Sequence, residues 1–257
     1  MAARCPMKRL FTRNRIISLA VVILLLIGWE VLSVSFGSNQ ILPGPDDTIS
    51  TLFRMVQTSD FIHSLGITLL RGLIGFALAL GAALLVGIPA GLNSGIEAAF
   101  RPVIVTIRST PVISIILLAL IWLQVDYVPV FIGFLTMFPI LTTNISQGIR
   151  NTEPAFIQMA HLHSIRKSRI LSEIFFPSIL PWLFSGISTA VGFGWRSVII
   201  GEVLSQPRYG IGSMMQDAQS FLLVSEVIAW TLVAVIVGSL FEWLIRKLEK
   251  TTLKWKL

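Results

Sequence analysis

The residue types able to do chemistry are few in this chain, and most are spaced wrongly for it. His161 and His163 lie two apart, which on a helix points them to different faces. Zinc sites on a helix favour spacings of three or four, usually with further Cys, His or carboxylate ligands, so no metal site is expected. No Ser/His/Asp set, H-E-x-x-H motif or intramembrane pair of aspartates occurs. A G-x-x-x-x-G-K-[ST] loop is missing too, so no cofactor and no ATP site are expected on this chain. What remains is Trp195, Arg196 and Glu202 at one end of a long apolar run, with Ser185, Ser188 and Thr189 inside it. The small residues of that run permit close helix packing and equally suit the lining of a path. Ionisable groups at membrane depth face a cavity or a partner. An Arg196–Glu202 ion pair and a contact with a translocated solute both fit.

The elements that must position these residues follow from bulk properties. The 257 residues are 54% hydrophobic and 13% charged, whereas a soluble domain carries about 25% charged residues. A water-soluble fold of this length could not hide so much apolar surface, so the surplus must face lipid or other helices. Cys5 is the single cysteine, which excludes an internal disulfide. Crossing the hydrocarbon core takes about 20 apolar residues in a helix, and six segments qualify or come close. They are Ile16–Phe36, Gly72–Leu92 (its helix beginning as early as Leu65), Val103–Val125, Tyr127–Ile145, Phe175–Trp195 and Leu222–Ile245. An all-α, polytopic membrane bundle of about six helices is expected, forming one domain over residues 1–257. There is no long repeat, low-complexity tract or second domain.

Charge orients it. Arg4, Lys8, Arg9, Arg13 and Arg15 precede the first span; Arg246, Lys247, Lys250, Lys254 and Lys256 follow the last. Arg150, Arg166, Lys167 and Arg169 lie between spans four and five, and Arg101 between two and three. Connections on the other side hold Arg54, Arg71 and Arg208 beside Asp46, Asp47, Asp60, Asp126 and Asp217. Basic residues gather in the cytoplasm, which puts both termini there and accounts for the net charge of +7 without nucleic acid. Arg108 reads as a side chain snorkelling to the cytoplasmic interface. The N-terminus has the basic start and apolar core of a signal peptide, but its run is long and lacks an A-x-A-like site, so it is expected to stay as the first helix. The turn-rich "NQILPGPDDT" reads as an external loop.

Between spans four and five, "NTEPAF" supplies Asn151 or Thr152 as a cap, with Glu153 and Pro154 in a first helical turn. Phe156, Met159, Ala160 and Leu162 then form an apolar stripe at helical spacing, and Ser164 is a candidate turn or cap. Such a helix packs on its own bundle or is presented to a soluble partner.

This stretch resembles the cytoplasmic EAA loop of ABC-importer permeases, E-A-A-x3-G-x9-I-x-L-P. Gln158, Met159 and Ala160 fall on E-A-A, Ser164 on the glycine, and Ile174-Phe175-Phe176-Pro177 on I-x-L-P. Gln158 and Ser164 depart from the pattern; Glu153-Pro154-Ala155 resembles the D-P-A often found before it. "ILPGPDDTISTLFRM", "RGLIGFALALGAALLVGIPAGL", "RPVIVTIRSTPVISIILLALIW" and "GWRSVIIGEVLSQPRYGIGSMM" are similar to segments of nitrate, sulfonate and taurine importer permeases. The resemblance implies a type I importer fold in the inner membrane and a coupling loop at about 147–176. Glu153, Pro154, Phe156, Gln158, Met159, Ala160 and Ser164 would contact an ATPase. It further implies two ATPase subunits that bind ATP and magnesium, a second permease copy as a homodimer, and an external substrate-binding protein. The substrate would be a small anion or organic solute such as nitrate, a sulfonate or taurine. A secondary transporter is the rival, but the spans hold almost no central carboxylates and no inverted repeat. A membrane-embedded enzyme would need a convergent catalytic set, which is absent.

Overall fold

The structure, a computed structural model, describes residues 7–38, 41–163 and 165–253. Among these residues every regular element is helical. In chain order they are α1 (Met7–Phe36), α2 (Pro45–Val56), α3 (Ser59–Leu92), α4 (Ser94–Ser109), α5 (Val112–Trp122), α6 (Val128–Arg150), α7 (Pro154–Leu162), α8 (Lys167–Ile170), α9 (Phe176–Ser205), α10 (Ile211–Ser220) and α11 (Val224–Thr252), with a π-helical turn at Leu171–Phe175 before α9. Five helices are long and apolar enough to cross a membrane: α1, α3, α6, α9 and α11. The bent pair α4 and α5 makes a sixth candidate span.

That third span differs from the single helix Val103–Val125 expected from hydropathy. The chain bends by 97° between α4 and α5. Pro111 causes the break: it has no N–H to donate and disfavours helical geometry in the residue before it. Thr110 is accordingly extended, with φ −77° and ψ 129°. The five long helices also outrun their apolar segments: α1 starts before Ile16, α6 runs past Ile145 and α11 past Ile245. α3 starts at Ser59, where the Thr58 hydroxyl accepts from the Phe61 N–H, and α9 continues to Ser205 rather than stopping at Trp195. Apolar length measures the stretch that lipid can cover, whereas a helix persists as long as packing supports it.

α6 is the axis of the bundle. More than half of its apolar window (56%) is buried, against 6% of that of α1. α3 and α9 pack on either side of it. The α3 seam is a ladder of small residues four apart: Gly75, Ala79, Ala83 and Gly87, all buried. Without large side chains the two backbones can approach closely, which substitutes for a hydrophobic drive between helices in lipid. Met137, Phe138, Leu141 and Ile145 of α6 fill the seam, joined by Ala190 of α9. A second cluster (Phe61, Trp195, Ile211, Trp230 and Val233) binds α3, α9, α10 and α11, with Phe61 stacked on Trp230 at 5.0 Å. Among the described residues, Trp29 Nε1 donates to the Pro43 carbonyl (3.0 Å) and Ser33 Oγ to the Leu42 carbonyl (2.9 Å), which holds α1 to the chain beyond it. At the end of the bundle where α3 and α6 finish, Arg150 pairs with Glu97 of α4 (2.8 Å) and donates to the Ala90 carbonyl (3.0 Å).

The seam yields a paired prediction. A Cβ at Gly75 would meet the Val130 carbonyl oxygen at 3.0 Å, whereas one at Gly81 would meet nothing within 4 Å. Gly75→Leu should destabilise the detergent-solubilised chain by about 1–3 kcal/mol through overpacking, and Gly81→Leu should leave its thermal midpoint nearly unchanged. Equal midpoints for the two variants would show that the close approach is not what holds α3 on α6.

Candidate functional site

The expected site residues separate into three places. The first is the connection between α6 and α9. Asn151 and Thr152 do not cap α7; they close α6. The Asn151 N–H bonds the Gln147 carbonyl, the Thr152 N–H bonds that of Ile149, and the Thr152 hydroxyl donates back to Gly148 (3.4 Å). α7 begins at Pro154, whose missing N–H costs nothing at a first helical position. Glu153 and Gln158 are exposed. Phe156 (48% accessible) and Met159 (52%), three apart, form an exposed apolar pair, with Leu162 more exposed still. Ala160 differs from them at 1%: it faces the protein's own interior and departs from the stripe expected of it. Ser164 lies outside the described residues.

The second place is built around Glu202, which has no accessible surface. The pairing with Arg196 considered from sequence does not form. Six residues of α-helix turn through about 600°, leaving the two side chains about 120° apart. Glu202 instead turns inward to α3. Arg71 Nη1 donates to Oε1 at 2.8 Å, Thr68 Oγ1 lies 2.9 Å from both carboxylate oxygens, and the Gly212 N–H donates to Oε2 at 3.0 Å. Thr68 Oγ1 also accepts from the Ile211 N–H (2.8 Å). Arg71 in turn donates to the Tyr209 carbonyl (2.6 Å) and to Asp126 Oδ1 (2.7 Å), between α5 and α6. Arg71, assigned to an external connection from sequence, is thus a buried residue of α3. Two glycines let the carboxylate in: a Cβ at Gly210 would lie 2.6 Å from Glu202 Cδ, and one at Gly212 2.3 Å from the Ile199 carbonyl oxygen. Sequence reading missed Thr68, Arg71 and Asp126. The available signal was a lone arginine within a long apolar helix, which must find an acid.

The third place is a pair of clefts flanking α9. One, of about 520 Å³, lies against α4, α5 and α6 and is lined by Arg108, Thr110, Thr136, Thr143, Asn144 and Gln147, among apolar neighbours. The other, of about 610 Å³, lies against α11 and holds Ser188, Trp195, Arg196 and Glu242. Thr189 and Phe193 line both. Of the residues expected there, Ser188, Thr189, Trp195 and Arg196 are brought together. Glu202 is turned away, and Ser185 is exposed without lining either cleft. Trp195 is mostly a packing residue: its indole N–H donates to the Ala234 carbonyl of α11 (2.9 Å) and its ring meets Phe241 edge-on at 5.5 Å. The polar wall of α6 was missed, although Thr136, Thr143, Asn144 and Gln147 recur at intervals that share one helical face.

Comparison with known proteins agrees with this architecture. The model of a family described as binding-protein-dependent transport system inner membrane component matches residues 79–254. The chain is 28% identical to the taurine transport system permease protein of Escherichia coli, over 98% of this chain and 92% of that protein. It is 27% identical to a putative aliphatic sulfonates transport permease protein of Bacillus subtilis, over 89% and 83% respectively. It is 26% identical to the nitrate import permease protein of Synechocystis, over 95% and 91%.

The buried pair makes a specific demand on stability. Arg71→Met leaves Glu202 buried and uncompensated and should cost about 3–5 kcal/mol. Adding Glu202→Met should recover much of that loss. Asp126→Asn, at the solvent edge, should cost about 1 kcal/mol or less. Denaturation of the detergent-solubilised variants measures all three, and a neutral Arg71→Met would disprove the assignment of the pair as a structural clamp.

Proposed function

We propose a mode of action from one premise: the chain belongs to the family of binding-protein-dependent transport system inner membrane components. It is the transmembrane permease subunit of an ABC importer, of the type that includes nitrate, sulfonate and taurine permeases. Membership implies an inner-membrane location and two kinds of partner, an ATPase and a substrate-binding protein. The rival reading as a secondary transporter is not favoured by that membership.

The finer reading is that residues 147–176 of this single domain couple it to its motor, with ATP and magnesium held by the partner ATPases. The observation that carries it is α7, a short helix between two bundle helices that offers Phe156 and Met159 to solvent while Ala160 anchors it inward. Burying such a pair in an ATPase groove would contribute about 1.5–3 kcal/mol per large side chain. Glu153, Pro154 and Gln158 shape and flank that surface, and Ser164 belongs to the same motif. Basic residues cluster at that end of the chain's helices (Arg150, Arg166, Arg169, Arg246), which supports a cytoplasmic face and cytoplasmic termini. Two copies would work with two ATPases, and closure of the ATPases would drive the bundles between inward- and outward-facing arrangements. The relatives' printed names support a small sulfonate, taurine or nitrate as substrate.

Cysteines introduced by Asp46→Cys and Ser168→Cys should label from opposite sides of the membrane; labelling from one side would sink this topology. Met159→Asp and Phe156→Ala should leave the subunit's thermal midpoint unchanged while ATPase co-elution and ATP-driven uptake fall. Ala160→Asp should instead lower the midpoint, because it places a carboxylate in the subunit's own interior. Normal co-elution and uptake in Met159→Asp would exclude α7 as the contact.

A further inference from the structure

α9 has one face that nothing among the described residues covers. Ser185, Thr189, Gly192, Phe193 and Arg196 are all exposed, in a helix otherwise packed on α3, α6 and α11. This face runs between the two clefts, and Thr189 and Phe193 belong to both. A guanidinium presented to hydrocarbon is costly, so an arginine in a membrane-crossing helix faces water, a cavity or a partner. The side chain of Arg196 has no ion pair or hydrogen bond among the described residues, and the same holds for Arg108.

The charge inventory of the clefts is one-sided. Among the described residues, Arg108 is the one charged residue lining the first. The second holds Arg196 and Glu242, but Glu242 is already bound by Arg246. Glu202, six residues from Arg196, spends its charge on Arg71. Both clefts therefore carry uncompensated positive charge between low-dielectric walls, an arrangement that concentrates anions and excludes cations.

We propose that the open face of α9 is an anion-selecting path, in which Arg196 and Arg108 hold a small oxyanion such as a sulfonate or nitrate as it passes. This rests on the permease reading and adds to it the residues that choose the sign of the solute's charge. Planar guanidinium groups suit such ligands, since they donate paired N–H bonds to oxyanions.

The test needs no knowledge of the natural substrate. In full-length chain carrying Cys5→Ser and Thr189→Cys, held in lipid nanodiscs, labelling rates are compared for a sulfonate-bearing and a trimethylammonium-bearing methanethiosulfonate. Each rate is divided by the rate of the same reagent with free mercaptoethanol. The corrected ratio should favour the sulfonate reagent and fall about tenfold when Arg196→Gln is added. Arg196→Lys should retain the preference, and Arg54→Gln on α2 should leave it unchanged. If Arg196→Gln does not give monodisperse protein, Arg108→Gln carries the same expectation, because Arg108 and Thr189 line one cleft. Absence of labelling by both reagents, a ratio indifferent to the arginine, or an equal fall in Arg54→Gln would overturn the proposal. Lost ATPase co-elution and uptake in the unaltered chain, with the labelling preference intact, would fault the permease reading instead.

Discussion

A carboxylate with no exposure in an apolar bundle constrains everything near it. Removing an ion from water costs several kcal/mol even after relaxation, and only close, complete hydrogen bonding returns it. Glu202 obtains that from Arg71 and Thr68 on α3 and from the backbone where α10 begins. The partners are far apart in sequence, so meeting Glu202 sets the height of α3 against α9 and folds α10 back over both. Asp126 extends the same network to the connection between α5 and α6. One buried charge thereby ties four parts of the chain together at a single end of the bundle.

Below that clamp the association changes character. Gly75, Ala79, Ala83 and Gly87 bring α3 against α6 with no large α3 side chain between them, and contact of this kind depends on shape rather than charge. Clamp and seam together make α3, α6 and α9 one body, densely packed and resistant to graded deformation. α7 follows α6 at the far end of that body, with Phe156 and Met159 exposed and Ala160 turned inward. The bent pair α4–α5 and the long α11 flank the body less completely and leave the two clefts open. The close packing of α3, α6 and α9 contrasts with the open polar surface of the two clefts.

The same division separates what hydropathy could reveal from what it could not. Gly72–Leu92 falls within α3, and all of Phe175–Trp195 but its first residue within α9, because each reflects a local requirement for lipid-compatible length, although both helices run on well beyond it. The short helix at Pro154 and the basic face were legible for the same reason: proline at a helix start and arginine in a loop act over a few residues. The break at Pro111 could have been read locally, since proline limits the residue before it, but continuous apolarity across Val103–Val125 masked it.

By itself, then, the sequence determined an all-helical membrane subunit, the approximate number of its spans and the polar interruption between the fourth and fifth. Each depends on chemistry contained in a window of about 20 residues. Only the tertiary structure decided which charges are partners. Glu202 and Arg196 are neighbours in the chain, yet the turn of the helix separates them, and Glu202 pairs with Arg71, 131 residues away. Likewise only folding distinguished Ala160, turned inward, from Met159 beside it. Pairing and burial are properties of approach through space, and the spacing of residues along the chain does not contain them.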